Sequence, residues 1–167
     1  MDYYKAILKH NYPLDIKSSE TSFFSPAQKL LDPALFQGEQ LDPAVRNSIL
    51  SLVFQCLESR FSNPHAWAIP WLAGSGVSYH WAAHRDPADL DCLVGIDYVL
   101  FRQSNQSYTG LSDKEIASEI NDLFSSNLHR QTDNFLGHYD LTFFAITTKD
   151  ITEIKPYAAY SLLDDTW

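Results

Sequence analysis

What this sequence has little of narrows it first. Its two cysteines, Cys56 and Cys92, each sit among apolar neighbours, which excludes a disulfide framework or a cysteine-rich zinc module and predicts two reduced, buried thiols. Six glycines and eight prolines in 167 residues are too few for a fibrous or low-complexity chain. No apolar run approaches the roughly 18 residues that a membrane span needs, and the opening "MDYYKAILKHNYPLDIK" lacks the apolar core of a signal peptide. The expectation is therefore a cytoplasmic protein without a membrane partner. Basic residues are scarce and scattered, 12 against 21 acidic, for a formal net charge of -9. A broad nucleic-acid surface needs a basic patch, so none is expected; a short nucleic-acid end or a small anionic substrate held through metal stays open.

What is present is enough for one real core: 45% of the residues are hydrophobic and 20% charged, an ordinary globular balance. The stretch "SSETSFFSPAQKLLDPALF" mixes polar residues, prolines and aromatics, and predicts an irregular arm over residues 1–40 packed on a domain over residues 41–167. Asp42 as a cap, Pro43 at the first helical position and apolar residues at helical spacing predict a helix over residues 42–60. "AWAIPWLA" reads as a short strand in which Pro70 points to an edge position or a bulge. "VSYHWAA" reads as one or two helical turns, and "DLDCLVGIDYVLF" as the strongest strand. Ser112 and Glu115 at capping-box spacing open a second helix, and "FLGHYDLTFFAIT" predicts a third strand.

Two aspartates inside the strongest strand raise the functional question. Residues i and i+2 of a strand face the same side, so Asp89 and Asp91 project together, where they repel each other and lose hydration unless something positive meets them. With the third strand alongside, Asp140 adds a third oxygen donor to the patch. Such a cluster suits hard ions, Mg²⁺ or Mn²⁺, and suits two of them bridged by shared carboxylates. Upstream, "AGSG" puts Gly74 and Ser75 at a strand end, where a glycine lets backbone approach a phosphate and a serine adds a donor. The plainer alternatives are a solvated strand edge for the aspartates and an ordinary capped turn for Gly74 and Ser75.

The order "LAGS", thirteen residues, "DLDC", then a distant "YDL" resembles the DNA polymerase beta-like nucleotidyltransferase superfamily over residues 42–147. The resemblance implies an α+β fold, a small mixed sheet with helices packed on one face. It implies a metal-dependent nucleotidyltransferase that moves a nucleoside monophosphate from a nucleoside triphosphate such as ATP to a hydroxyl, releasing pyrophosphate. Asp89 and Asp91 would ligate two Mg²⁺ or Mn²⁺ ions, Asp140 would ligate the catalytic one, and Gly74 and Ser75 would contact nucleotide phosphates. Arg85, between the two halves of the motif, is the further phosphate-binding candidate, because a guanidinium pairs well with phosphate. His80 and His84 share that segment and read equally well as surface loop residues. Tyr79, Trp81 and Tyr98 can stack on a base or fill the core, His138 reads as structural, and nothing fixes Lys155.

The sequence departs from subgroups of the family: the Ala-Arg-Gly of toxin-like members and the Ser-Asp-hydrophobic-Asp of antibiotic-modifying members are both replaced. Few residues follow the third strand, so the helical domain that many members carry there is expected to be absent or truncated. The acceptor is open among a tRNA end, a protein, a small molecule and a second nucleotide. A non-catalytic nucleotide-binding or assembly module with the same fold is the alternative, and a phosphohydrolase using the same aspartates a third reading.

Overall fold

A computed structural model describes residues 27–81, 88–128, 134–154 and 158–167. It is an α+β fold built on a four-stranded mixed sheet, with a two-stranded antiparallel hairpin beside it. The hairpin joins β1 (Phe36–Gln37) and β2 (Gln40–Leu41). The sheet contains β3 (Ala68–Ala73), β4 (Ala88–Ile96), β5 (Tyr139–Ala145) and β6 (Ala159–Ser161), in the order β5-β4-β3-β6. Strand β3 runs antiparallel to both β4 and β6, and β5 runs parallel to β4. Among the described residues, no helix is long and apolar enough to cross a membrane.

The two longest helices follow their local signals. Helix α1 (Pro43–Glu58) starts where Asp42 accepts the Ala44 N–H at 2.8 Å, with Pro43 at the position where a missing donor costs nothing. The short α2 (Pro64–Trp67) and α3 (Tyr98–Ser104) follow, and then α4 (Asp113–Asn127), opened by a complete Ser112–Glu115 capping box. Helices α1 and α4 supply Ile49, Val53, Leu57, Ile116, Ile120 and Phe124 to the main core, where they meet Leu90, Cys92, Val94 and Ile96 of β4. From the segment before α1, Leu31, Leu35 and Phe36 join the same core.

Several expectations are corrected. Strand β4 stops at Ile96, because the Asp97 side chain accepts the Leu100 N–H at 3.1 Å and turns "YVLF" into α3. Ala66 and Trp67 belong to α2, not to a strand. Of "VSYHWAA", residues 77–81 form no α-helix: a 3₁₀ turn, Ser75–Val77, ends where that segment begins, and residues 82–83 lie outside the described residues. Pro70 lies in an interior strand: its carbonyl accepts the Leu162 N–H at 3.2 Å, so its nitrogen also faces β6, one pair beyond the last residue of that short strand. No donor toward β4 is therefore lost.

The face of the sheet opposite the helices divides in two. Toward the C-terminal end of β4, residues 146–154 cross over it, and Ile146 and Ile151 pack with Ala73 and Leu93. The crossing is close: a Cβ on Gly95 would sit 2.4 Å from the Lys149 carbonyl oxygen, so only glycine fits. At the other end of β4 the same face carries Asp89 and Asp91.

Candidate active site

The parallel pairing of β4 with β5 sets the site's geometry. Asp89 is directly opposite Asp140, and Asp91 directly opposite Thr142. Laterally paired residues point to the same side, so all three carboxylates rise from one face. Neighbouring strands lie about 4.8 Å apart, and residues i and i+2 about 6.6 Å apart, so the patch is small. Asp91 is 9% exposed, and the Thr142 hydroxyl donates to its Oδ1 at 2.8 Å; Asp89 and Asp140 are half-buried. Thr142 is the residue that sequence reading missed. Its signal was available, since "DLT" puts a hydroxyl two residues after Asp140 on the same face of the strand.

The Gly-Ser turn stands at the same end of the sheet, because β3 ends where the antiparallel β4 begins. Gly74 has φ 93° and ψ -171°, a conformation essentially reserved for glycine. Its N–H donates to the Ala158 carbonyl at 3.0 Å, so its own contribution is backbone shape rather than a hydrogen-bond donor. A Cβ on Gly76 would lie 2.9 Å from the Asp89 carbonyl oxygen, so the turn rests directly on the main chain of the first aspartate. Ser78 closes the turn: its hydroxyl donates to the Ser75 carbonyl at 2.7 Å and accepts the His80 N–H at 3.0 Å. Ser75 is half-buried at the head of the 3₁₀ turn.

The remaining candidates separate. Tyr98 is 6% exposed in the main core and donates to the Ile146 carbonyl, so it cannot stack on a base. Trp81 donates its indole N–H to the Leu30 carbonyl at 2.9 Å, and Tyr79 donates its hydroxyl to Glu39 at 2.9 Å. His138 sits edge-on to Tyr139, and its carbonyl accepts the Ala88 N–H at 2.9 Å, which holds the starts of β4 and β5 together. Arg85, His84 and Lys155 lie outside the described residues.

Both thiols are chemically quiet. Burial pushes Cys56 up to about 11, and Cys92 higher still, first by burial and then by the neighbouring Asp91 charge. Neither serves as a nucleophile near neutral pH.

Three aspartates are hard oxygen donors and suit Mg²⁺ or Mn²⁺ in kind. As the side chains stand, no group of three or more His, Cys, Asp or Glu among the described residues converges tightly enough to hold an ion by itself. Mg²⁺ ordinarily takes only one or two protein carboxylates and fills its shell with substrate phosphates and water, so the donor set fits an ion that arrives with a nucleotide. No family model matches the chain, and no curated protein and no solved structure matches it. The functional reading therefore rests on the residues and their geometry.

Proposed function

We propose that the protein is a metal-dependent nucleotidyltransferase of the DNA polymerase beta-like kind, transferring a nucleoside monophosphate from a nucleoside triphosphate to a hydroxyl acceptor. The observation that carries this reading is the register at one corner of the sheet. Asp89 pairs with Asp140, Asp91 follows on the same face, and a glycine-dependent turn leans on the Asp89 main chain.

In this reading Asp89, Asp91 and Asp140 would hold the two Mg²⁺ or Mn²⁺ ions. Bound there, the ions would neutralise the charge that builds on the attacking and leaving oxygens of an in-line displacement. The chain's own groups do the rest. Ser75 and the turn behind it hold the outer phosphates, and Gly74 supplies the backbone shape that lets them approach. Thr142 fixes one oxygen of Asp91 and so holds the orientation of that carboxylate. Asp140 takes the proton from the acceptor hydroxyl. The acceptor oxygen forms its bond to the α-phosphorus as the bond from that phosphorus to the α–β bridging oxygen breaks, and pyrophosphate leaves with the electron pair. A tRNA end, a protein, a small molecule and a second nucleotide all satisfy this chemistry as acceptors.

The test is incubation with each α-labelled nucleoside triphosphate and Mg²⁺ or Mn²⁺ over an acceptor panel, beside Asp89→Asn and Asp91→Asn. Label transfer with pyrophosphate release, lost in both variants, is the expected result. Nucleotide binding without turnover would replace this reading with a binding module, and release of labelled phosphate products without transfer would replace it with a phosphohydrolase.

A further inference from the structure

A cavity of about 300 Å³ opens beside the Gly-Ser turn, on the side away from β5. Three distant parts of the chain build it: Leu31 and Glu39, Val77 and Tyr79, and Ala158 and Trp167. Its floor is apolar. Two of its walls are aromatic and partly exposed, Tyr79 at 40% and Trp167 at 46%.

Those rings are fixed by hydrogen bonds that they donate to one residue. The Glu39 carboxylate accepts the Tyr79 hydroxyl at 2.9 Å, and the Glu39 carbonyl accepts the Trp167 indole N–H at 2.9 Å. Phe36 stacks on Trp167 at 5.5 Å and 12°, and Tyr160 meets it edge-on at 5.1 Å. The hydrogen bond to Glu39 also raises the Tyr79 pKa, so the phenol stays a donor. A carboxylate offers about four acceptor positions, and Tyr79 takes one. The cavity is thus lined by two partly exposed aromatic rings and an exposed carboxylate on a chain of net charge -9.

We propose that this cavity is a binding site for a small aromatic amine, its ring seated between Tyr79 and Trp167 and its ammonium on Glu39. Aromatic faces attract cations through the ring quadrupole, and a neighbouring carboxylate adds a charge-assisted hydrogen bond. The apolar floor of Leu31, Val77 and Ala158 takes the ring's edge, and the volume accommodates a bicyclic compound at the small end of the usual ligand-pocket range. An anion of the same shape would meet the Glu39 charge and bind more weakly. This site does not depend on the nucleotidyltransferase reading.

The experiment is calorimetric titration of the full chain with tryptamine and, separately, with indole-3-propionate, which keeps the ring and reverses the charge. Saturable tryptamine binding is expected, with the anion at least about tenfold weaker, a difference of roughly 1.4 kcal/mol. Glu39→Gln, at an exposed turn, should remove most of that difference. Ala158→Phe, which fills the floor, should abolish binding of both compounds while the thermal midpoint reports that the chain still folds. Absent saturation with tryptamine, equal binding of the two compounds, discrimination that survives Glu39→Gln, or binding that survives Ala158→Phe would each overturn the proposal.

Discussion

One strand shows two different uses of a sheet face. On the helix side of β4, Ala88, Leu90, Cys92, Val94 and Ile96 are all under 9% exposed and lock into α1 and α4. On the other side the alternating positions are Asp89, Asp91, Leu93 and Gly95, and their roles change along the strand. Gly95 and Leu93 are covered by the crossing segment, while the carboxylates stand at the other end of the strand. The helix face is specified by burial, which tolerates any apolar set of the right volume. Burial on the helix face does not by itself account for the carboxylates at positions 89 and 91, which the proposed reaction would use.

That contrast can be broken most sharply by comparing neighbours on β4. Asp91→Asn keeps the oxygen that Thr142 bonds and should leave the denaturation midpoint close to wild type. Nucleotidyl transfer should nonetheless fall by more than about 100-fold, the upper range for losing a mere outer-shell partner of a metal site. Leu90→Ala, one residue away and 1% exposed, should do the reverse, costing about 2–5 kcal/mol in urea unfolding while sparing the chemistry of the folded fraction. If the aspartate variant unfolds and keeps its activity, the division of labour between the faces is wrong.

Thr142→Val sharpens the same division. It should reduce metal affinity or activity by about 10–100-fold, with Thr142→Ser restoring most of it, as read by Mn²⁺ titration. A smaller effect is expected from Gly74→Ala, where an added Cβ strains the backbone by about 1–3 kcal/mol, measured by thermal or urea unfolding. Smallest is the cap that ends β4. Hydrogen bonds from α3 amides, the Leu100 N–H foremost, hold Asp97 below the usual carboxylate range, with Lys149 adding to them. A depressed carboxylate stabilises the fold above its unfolded pKa, about 3.9, and loses that contribution as pH falls through the lower folded value. Asp97→Ala should therefore cost about 0.5–1 kcal/mol at neutral pH, the low end for a solvent-screened cap, and progressively less as pH falls through the folded value.

How much was legible in the sequence follows the range of the forces involved. The starts of α1 and α4 are written within four residues, in Asp42-Pro43 and in Ser112 with Glu115, and both are found as read. The same-face placement of Asp89 and Asp91 needs only the period of a strand. The ending of β4 was missed because "YVLF" has strand composition, and a single side-chain cap at Asp97 outweighs it. Strands β1, β2 and β6 are two or three residues long and carry no periodicity to read. Pairing of Asp89 with Asp140, and the cavity walled by Glu39, Tyr79 and Trp167, depend on distant segments meeting, which no local pattern encodes.

The parallel register of β4 and β5 also bears on when the site comes into being. The hydrogen bond between Thr142 and Asp91 spans 51 residues, and a parallel pair cannot form by a tight hairpin. The loop-closing entropy must be met before those contacts repay it, which makes a parallel pairing of this separation a slow kind of contact to form. Before that pairing, Asp140 and Thr142 lie apart from the Asp89–Asp91 pair, so the corner with all three carboxylates exists only in the assembled sheet.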